Sequence, residues 1–141
     1  LVCNAGIVRP ACPIEDIKPD QWRQVIDINL MSCVYATTAF IPHAKANRSG
    51  RIIYMASVAG QVGGVASEVT YPVTKAGVLC LTKAVARQHG PFNITVNAIA
   101  PGPRFYNTHL KSKKVSHSNV TVMSQTSLLL PFTSRVRMLA M

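Results

Sequence analysis

Tyr71 and Lys75 stand four residues apart in the stretch YPVTKAG. On a helix, residues at this spacing lie on the same face, so the lysine ammonium would sit near the tyrosine phenol. A nearby cation and a helix N-terminus both favour the phenolate, which brings proton transfer by tyrosine within reach at neutral pH. Taken alone, the pair is more typical of an exposed tyrosine beside a solvated lysine.

Ser57 and Asn29 are two further polar residues that could belong to such a site. Ser57 follows an apolar run, and neither a G-x-S-x-G motif nor a suitably placed histidine accompanies it, so a hydrogen-bonding serine is favoured over a nucleophile. It could hold a substrate oxygen or simply cap the end of a strand. Asn29 lies within a helical, otherwise apolar pattern, where a buried amide needs partners. It could tether a neighbouring backbone segment or hold a chain of water molecules.

The hydrophobic pattern predicts the element order β, α, β, α, β. The predicted elements are a short strand in LVCNAG, a helix over 18–46 with Asp20 as N-cap, a strand over 51–56, a helix over 70–88 and a strand over 94–100. Pro42 should kink or close the first helix, and the glycine-rich stretch before the second should be flexible.

The runs 51–56 and 94–100 are nearly continuous in apolar residues, as is typical of strands buried on both faces of a parallel sheet. The fold class predicted is α/β, an incomplete doubly wound, Rossmann-like parallel sheet. Ligands bind such sheets outside the carboxyl ends of the strands. The segments 4–6, 57 and 101–102 each follow a predicted strand, so we expect them to converge on one edge.

Composition narrows the possible functions of the 141 residues. A hydrophobic content of 48% argues against a disordered chain, and no run of 18 apolar residues predicts a membrane span. The four cysteines form no C-x-x-C pair, which indicates free thiols in a reducing compartment. The histidines are scattered, so no metal site is predicted. The net charge of +10 is concentrated in the tail, where weak, non-specific nucleic-acid binding is the most we expect.

Five motifs in order, CNAG, DINL, SVAG, YPVTK and NAIAPGP, resemble the short-chain dehydrogenase/reductase family. The resemblance covers residues 1 to about 103. Within the family, the sequence is most similar to the 3-oxoacyl-acyl-carrier-protein reductases. It implies an NAD(P)-binding Rossmann-like fold and a small carbonyl or alcohol substrate. It also implies NAD or NADP as cofactor, with NADP favoured, a cytoplasmic location and a homo-oligomer formed through helices 20–45 and 70–88.

The resemblance also implies a role for each candidate residue. Tyr71 would be the general acid in carbonyl reduction and the base in the reverse direction, and Ser57 would hydrogen-bond the carbonyl oxygen. Lys75 would bind the nicotinamide ribose and lower the tyrosine pKa, while Asn29 would anchor a water molecule that feeds protons through the lysine. The residues that would approach the cofactor are Asn4, Ala5, Gly6, Tyr71, Lys75, Pro101 and Gly102.

Two departures from the family pattern leave alternatives open. No glycine fingerprint of the T-G-x-x-x-G-x-G kind is present, and Arg104 and Tyr106 replace the aliphatic residue and threonine expected after P-G. We therefore divide the chain into the C-terminal part of the family domain, 1–103, and a basic, irregular tail, 104–141. A frame change or aberrant transcript end could explain the tail, as could a divergent substrate lobe. The function predicted is an NAD(P)-dependent oxidoreductase, with an inactive truncated fragment that acts as an interaction module as the alternative.

Overall fold

A computed structural model describes residues 1–64 and 66–102, together with the backbone of two strands at 120–125 and 138–139. The strands are β1 (Val2–Cys3), β2 (Gly50–Met55), β3 (Ile94–Pro101), β4 (Val120–Gln125) and β5 (Met138–Leu139). The α-helices are α1 (Pro19–Ile26), α2 (Ser32–Ala46), α3 (Ala59–Val62) and α4 (Thr70–His89). A π-helical turn (Asp27–Met31) joins α1 to α2, and short 3-10 turns lie at Ile14–Asp16 and Gly90–Phe92.

The strands form one sheet in the order β1-β2-β3-β4-β5. The first three are parallel, whereas β4 and β5 pair antiparallel. The predicted parallel α/β arrangement with crossover helices is confirmed. Both antiparallel strands lie in the region predicted as an irregular tail, but most of 104–141 falls outside the described residues, so the boundary at 103 stays a prediction.

The core lies between one face of the sheet and the helices α2 and α4. Residues that alternate along a strand point to opposite faces. One set, which includes Ile52, Tyr54 and Val96, is buried and packs with Cys33 and Val78 of the helices. The other set is only partly buried, so the prediction of two fully buried faces holds for one face.

The first long helix differs from its prediction at its start and in its middle. Its N-cap is Lys18, not Asp20, because Pro19 occupies the first helical position, where a missing N–H costs nothing. The Gln21 side chain accepts from the Lys18 N–H at 2.9 Å. Pro42 does not close the helix, which continues to Ala46.

The glycine-rich stretch after β2 was predicted to be flexible, but it contains the short helix α3. This helix ends at Gly63, whose φ of 92° lies in the left-handed region that favours glycine. The chain is therefore held close to the end of β2 before it enters α4.

The bulged helix Pro19–Ala46 is long and apolar enough, over the described residues, to cross a membrane by length and composition alone. The core helix of a globular protein passes the same test. Only 22% of the most apolar 18-residue stretch of this helix is buried within the chain. Much of its apolar surface is therefore exposed and could contact another protein surface.

Candidate active site

Asn29 lies in the π-helical turn and is fully buried. Its side-chain oxygen accepts from the Ile7 N–H at 2.7 Å, and its Nδ2 donates to the Ile7 carbonyl at 2.9 Å. The Asn29 amide thus pairs with both backbone groups of Ile7, as a neighbouring strand would in a sheet. Isolated π turns of this kind recur at functional sites because they redirect side chains and backbone groups.

The same amide reaches α4. Asn29 Nδ2 donates to Thr74 Oγ1 at 3.2 Å, and that hydroxyl donates to the Tyr71 carbonyl at 2.8 Å. Of the two interpretations left open by the sequence, these contacts support a backbone tether. One side chain connects the loop after β1, the bulged helix and the helix that carries Tyr71 and Lys75.

Lys75 is buried, and its Nζ donates to the Met55 carbonyl at the end of β2, at 2.7 Å. Burial lowers the pKa of Lys75, and the nearby Cys33 thiol acts in the opposite direction. The ammonium lies 5.7 Å from the centre of the Tyr71 ring, within the range of a cation–π contact. The predicted pair therefore shares one face of α4.

A cleft of about 270 Å³ opens at the carboxyl edge of the parallel strands, as predicted for this fold class. It is lined by Asn4, Gly6, Ile7, Val8, Met55, Ala56, Tyr71, Lys75 and Pro101. Five of the residues predicted for the site, from three separate segments, thus meet at one cleft. Among the described residues, Ala5, Ser57 and Gly102 are not part of its lining, and Asn29 lies beneath it.

Ser57 is partly buried just after β2, and its Oγ accepts from the Ala59 N–H at 3.2 Å. This bond satisfies the N–H of the first residue of α3, whose N-cap is Val58. A hydroxyl has one hydrogen to donate and two lone pairs. The bond from Ala59 uses one lone pair, so it does not prevent Ser57 from donating its hydrogen elsewhere.

Gly6 and Gly60 allow two close approaches in the site. A Cβ at Gly6 would lie 3.3 Å from Lys75 Nζ and 3.5 Å from Asn29 Oδ1. A Cβ at Gly60 would lie 2.6 Å from the backbone of Lys75 and Ala76, a distance that real side chains do not reach. The segment that carries Ser57 can therefore pack on α4 only if position 60 has no side chain.

Several contributors were not predicted from the sequence. They act through the backbone, as Ile7 and Met55 do, or through close packing, as Gly60 does, and such roles leave no chemical signature in a sequence. Glu68 was also missed, although it carries a signal, since it is the only acid after Asp27 in the whole sequence. Within the described ranges, no cluster of histidine, cysteine or carboxylate side chains is suited to a metal.

Comparison with known proteins gives consistent matches. The short chain dehydrogenase family profile matches residues 1–119. A 3-oxoacyl-acyl-carrier-protein reductase of Staphylococcus aureus is 43% identical over 102 residues, which are 72% of this chain and 41% of that protein. The chain thus spans about two fifths of the curated relatives that it matches.

Solved structures agree with these matches. A 3-oxoacyl-acyl-carrier-protein reductase from Brucella melitensis with bound NAD has a TM-score of 0.70 and 36% identity, covering 72% of this chain and 40% of that one. A candidate NAD(P)-dependent gluconate 5-dehydrogenase from Beutenbergia cavernae with bound NADP has a TM-score of 0.68 and 35% identity, over the same shares of the two chains.

The tight packing at Gly60 predicts that Gly60→Ala lowers the free energy of unfolding by about 1–3 kcal/mol, the usual cost of overpacking. Gly77→Ala is the matched control. Its Cβ would meet only the end of the Leu30 side chain, at 3.1 Å, and alanine favours the helix. Urea unfolding of both variants measures the difference. Equal stability of the two variants would contradict the packing argument.

Proposed function

This chain is a member of the short-chain dehydrogenase family, and we propose that it works as an NAD(P)-dependent oxidoreductase that interconverts a small carbonyl compound and its alcohol. The observation that supports the proposal is the cleft at the carboxyl edge of the sheet, where Tyr71 and Lys75 line the same space as Asn4 and Gly6. The protein would thus supply a proton donor and a buried cation to carbonyl reduction, and the hydride would come from a bound cofactor.

Tyr71 is the proposed general acid. In reduction, its O–H donates the proton to the substrate oxygen, and in alcohol oxidation the phenolate takes that proton back. Lys75 supplies the positive charge that stabilises the phenolate, from 5.7 Å between its Nζ and the ring centre. Ser57 is proposed to donate its hydroxyl hydrogen to the same substrate oxygen. Asn29 is proposed to hold the water molecule from which the tyrosine is reprotonated through Lys75.

The donor set of the cleft fits the nicotinamide end of NAD or NADP, which supplies the hydride when bound. Asn4, Gly6 and Pro101, which line the cleft, would approach the cofactor, together with their neighbours Ala5 and Gly102. An ammonium has three hydrogens to donate, and the Met55 carbonyl takes one of the three on Lys75, so others can serve ribose hydroxyls. The absence of a side chain at Gly6 leaves the space above Lys75 open. Between the two cofactors, we favour NADP.

Cofactor titration of the full chain tests this proposal. We expect NADPH or NADH to give saturable fluorescence changes, and Lys75→Met to weaken the affinity at least about tenfold because a charge-assisted hydrogen bond is lost.

Tyr71→Phe should keep cofactor affinity but lose carbonyl reduction by about 10²- to 10⁴-fold, the usual share of a general acid. The matched control is Tyr35→Phe, an exposed tyrosine on α2.

The pH profile of cofactor binding gives a second readout of the same proposal. Burial lowers the pKa of Lys75 from its usual 10.5, so in the cofactor-free chain the ammonium loses its charge at a lower pH than a free lysine does. Affinity should therefore decline on the alkaline side before pH 10.5 is reached. Absence of saturable binding, or full carbonyl reduction by the Tyr71→Phe variant, would contradict the assigned roles.

A second proposal is self-association through α2 and α4, which overlap the helices 20–45 and 70–88 predicted for this role. A groove of about 290 Å³ runs between them and is lined mainly by apolar side chains, including Val34, Ile41, Leu81 and Val85. In the proposed dimer, the same helix pair of a second copy would pack against this surface by two-fold symmetry, so that one patch serves both subunits. The alternative of a non-catalytic interaction module would use this surface alone.

Sedimentation equilibrium tests the self-association. We expect the wild-type chain to be a dimer and Ile41→Asp to be a monomer, because a charge in the groove would be buried without a partner. Val62→Asp, at an exposed valine on α3, is the control and should remain a dimer. A monomeric wild-type chain would refute this interface. A dimer without cofactor binding would favour the interaction module.

We further propose a cytoplasmic setting, without a specific nucleic-acid partner and without membrane insertion. The support is the set of four free cysteines in the described part of the chain, two of them buried, which suits a reducing compartment.

A further inference from the structure

Glu68 is a buried carboxylate that the proposed chemistry does not use. It lies in the segment before α4, three residues ahead of Tyr71, and is only 2% exposed. A carboxylate in this position is costly unless it is paired and hydrogen-bonded. Its partners therefore show which parts of the molecule depend on it.

The Glu68 carboxylate connects α4 to the loop after β1. Its Oε1 accepts from Thr70 Oγ1 at 2.8 Å and lies 3.3 Å from Arg9 Nε, forming an ion pair. Its Oε2 lies 3.7 Å from the Cys12 thiol, which donates to it. Two of these partners belong to the loop after β1, and the third is in the first turn of α4.

Backbone contacts connect the same two segments. The Glu68 N–H donates to the Arg9 carbonyl at 3.4 Å, and the Glu68 carbonyl accepts from the Tyr71 N–H at 3.2 Å. Arg9 directly follows Ile7 and Val8, which line the same cleft as Tyr71 and Lys75. The ion pair thus lies where the wall of the cleft meets the start of the helix that bears the proposed acid.

We propose that Arg9 and Glu68 are a pair of positioning residues that fix the Ile7–Val8 wall of the cleft relative to Tyr71. The inference rests on the proposed function of Tyr71, and it adds a second attachment of this wall besides Asn29. Asn29 holds Ile7 from below, through α2 and the π turn, whereas Glu68 holds Arg9 from the start of α4. With both attachments in place, the cleft has a fixed width where a substrate oxygen would meet the phenol.

Amide hydrogen exchange of the full chain tests the pair without any need for cofactor or turnover. In Glu68→Ala, which removes the acceptor of the Thr70 hydroxyl, the amides of Ile7 and Tyr71 should exchange roughly 10- to 100-fold faster, the range for losing a hydrogen bond to a charged group. In Arg9→Gln, which removes the ion pair, the same amides should also exchange faster. Amides of β2 and β3 should keep their rates. Arg9→Lys should restore part of the protection, and Glu15→Gln, at an exposed acid of the same loop, should change nothing.

Alkylation of Cys12 provides a pH profile that a merely stabilising residue would not alter. Desolvation, and then the Glu68 carboxylate, raise the pKa of this exposed thiol. Glu68→Gln keeps the shape of the side chain and removes its charge, so the Cys12 profile should move to lower pH. Exposed Cys80 is the internal reference, and buried Cys3 and Cys33 report any unfolding.

The outcomes decide the proposal whether or not the chain is an active enzyme. Faster exchange at Ile7 and Tyr71 together with a shifted Cys12 profile supports the positioning pair, even if no cofactor binds. Unchanged exchange at Ile7 and Tyr71 in a folded Glu68→Ala or Arg9→Gln protein overturns it. An unshifted Cys12 profile overturns it as well, because the carboxylate would then not face this loop in solution.

Discussion

The candidate site depends on one buried amide. Asn29 is inaccessible to solvent, and both hydrogens of its Nδ2 and one lone pair of its Oδ1 are directed at two segments distant in sequence, the loop at Ile7 and α4 at Thr74. An unpaired buried amide group would cost about 1–3 kcal/mol. The amide therefore stabilises the site only when the loop after β1 and α4 are both in position to form their hydrogen bonds with the bulged helix. Because the hydrogen bonds to Ile7 and Thr74 must form together, the segments that line the cleft have fixed relative positions.

The chemistry of the cleft follows from this framework. With the loop after β1 held down, Gly6 lies beside Lys75, whose buried ammonium donates to the Met55 carbonyl and lies 5.7 Å from the centre of the Tyr71 ring. Burial removes water from the ammonium and lowers its pKa. A desolvated cation acts more strongly on a neighbouring phenol than a solvated one does. The lysine beside the tyrosine is thus not a solvated side chain on an exposed helix face.

Sequence reasoning found most of the framework and part of the site. The motifs and the order of apolar runs predicted the parallel α/β layer. The expected convergence of 4–6, 57 and 101–102 holds at the cleft for Asn4, Gly6 and Pro101, which line it with Tyr71 and Lys75, but not for Ser57 and Gly102. The π turn was not predicted, because it departs from the 3.6-residue repeat over one turn only. So short a departure does not visibly change the spacing of apolar residues in the sequence. The cap at Lys18 was missed because its side chain is not a usual cap, and proline set the start instead. Arg9 and Glu68 were missed because an ion pair 59 residues apart in sequence is visible only after folding.

The central claim, that the Asn29 amide holds the loop and α4 together, can be measured directly by NMR of its side-chain NH₂ group. The account predicts two separate, slowly exchanging hydrogens with nuclear Overhauser effects to Ile7 and Thr74, while the exposed side chain of Asn4 exchanges rapidly. A rapidly exchanging Asn29 amide without contacts to either residue, in a chain whose β2 and β3 amides remain protected, would contradict the account.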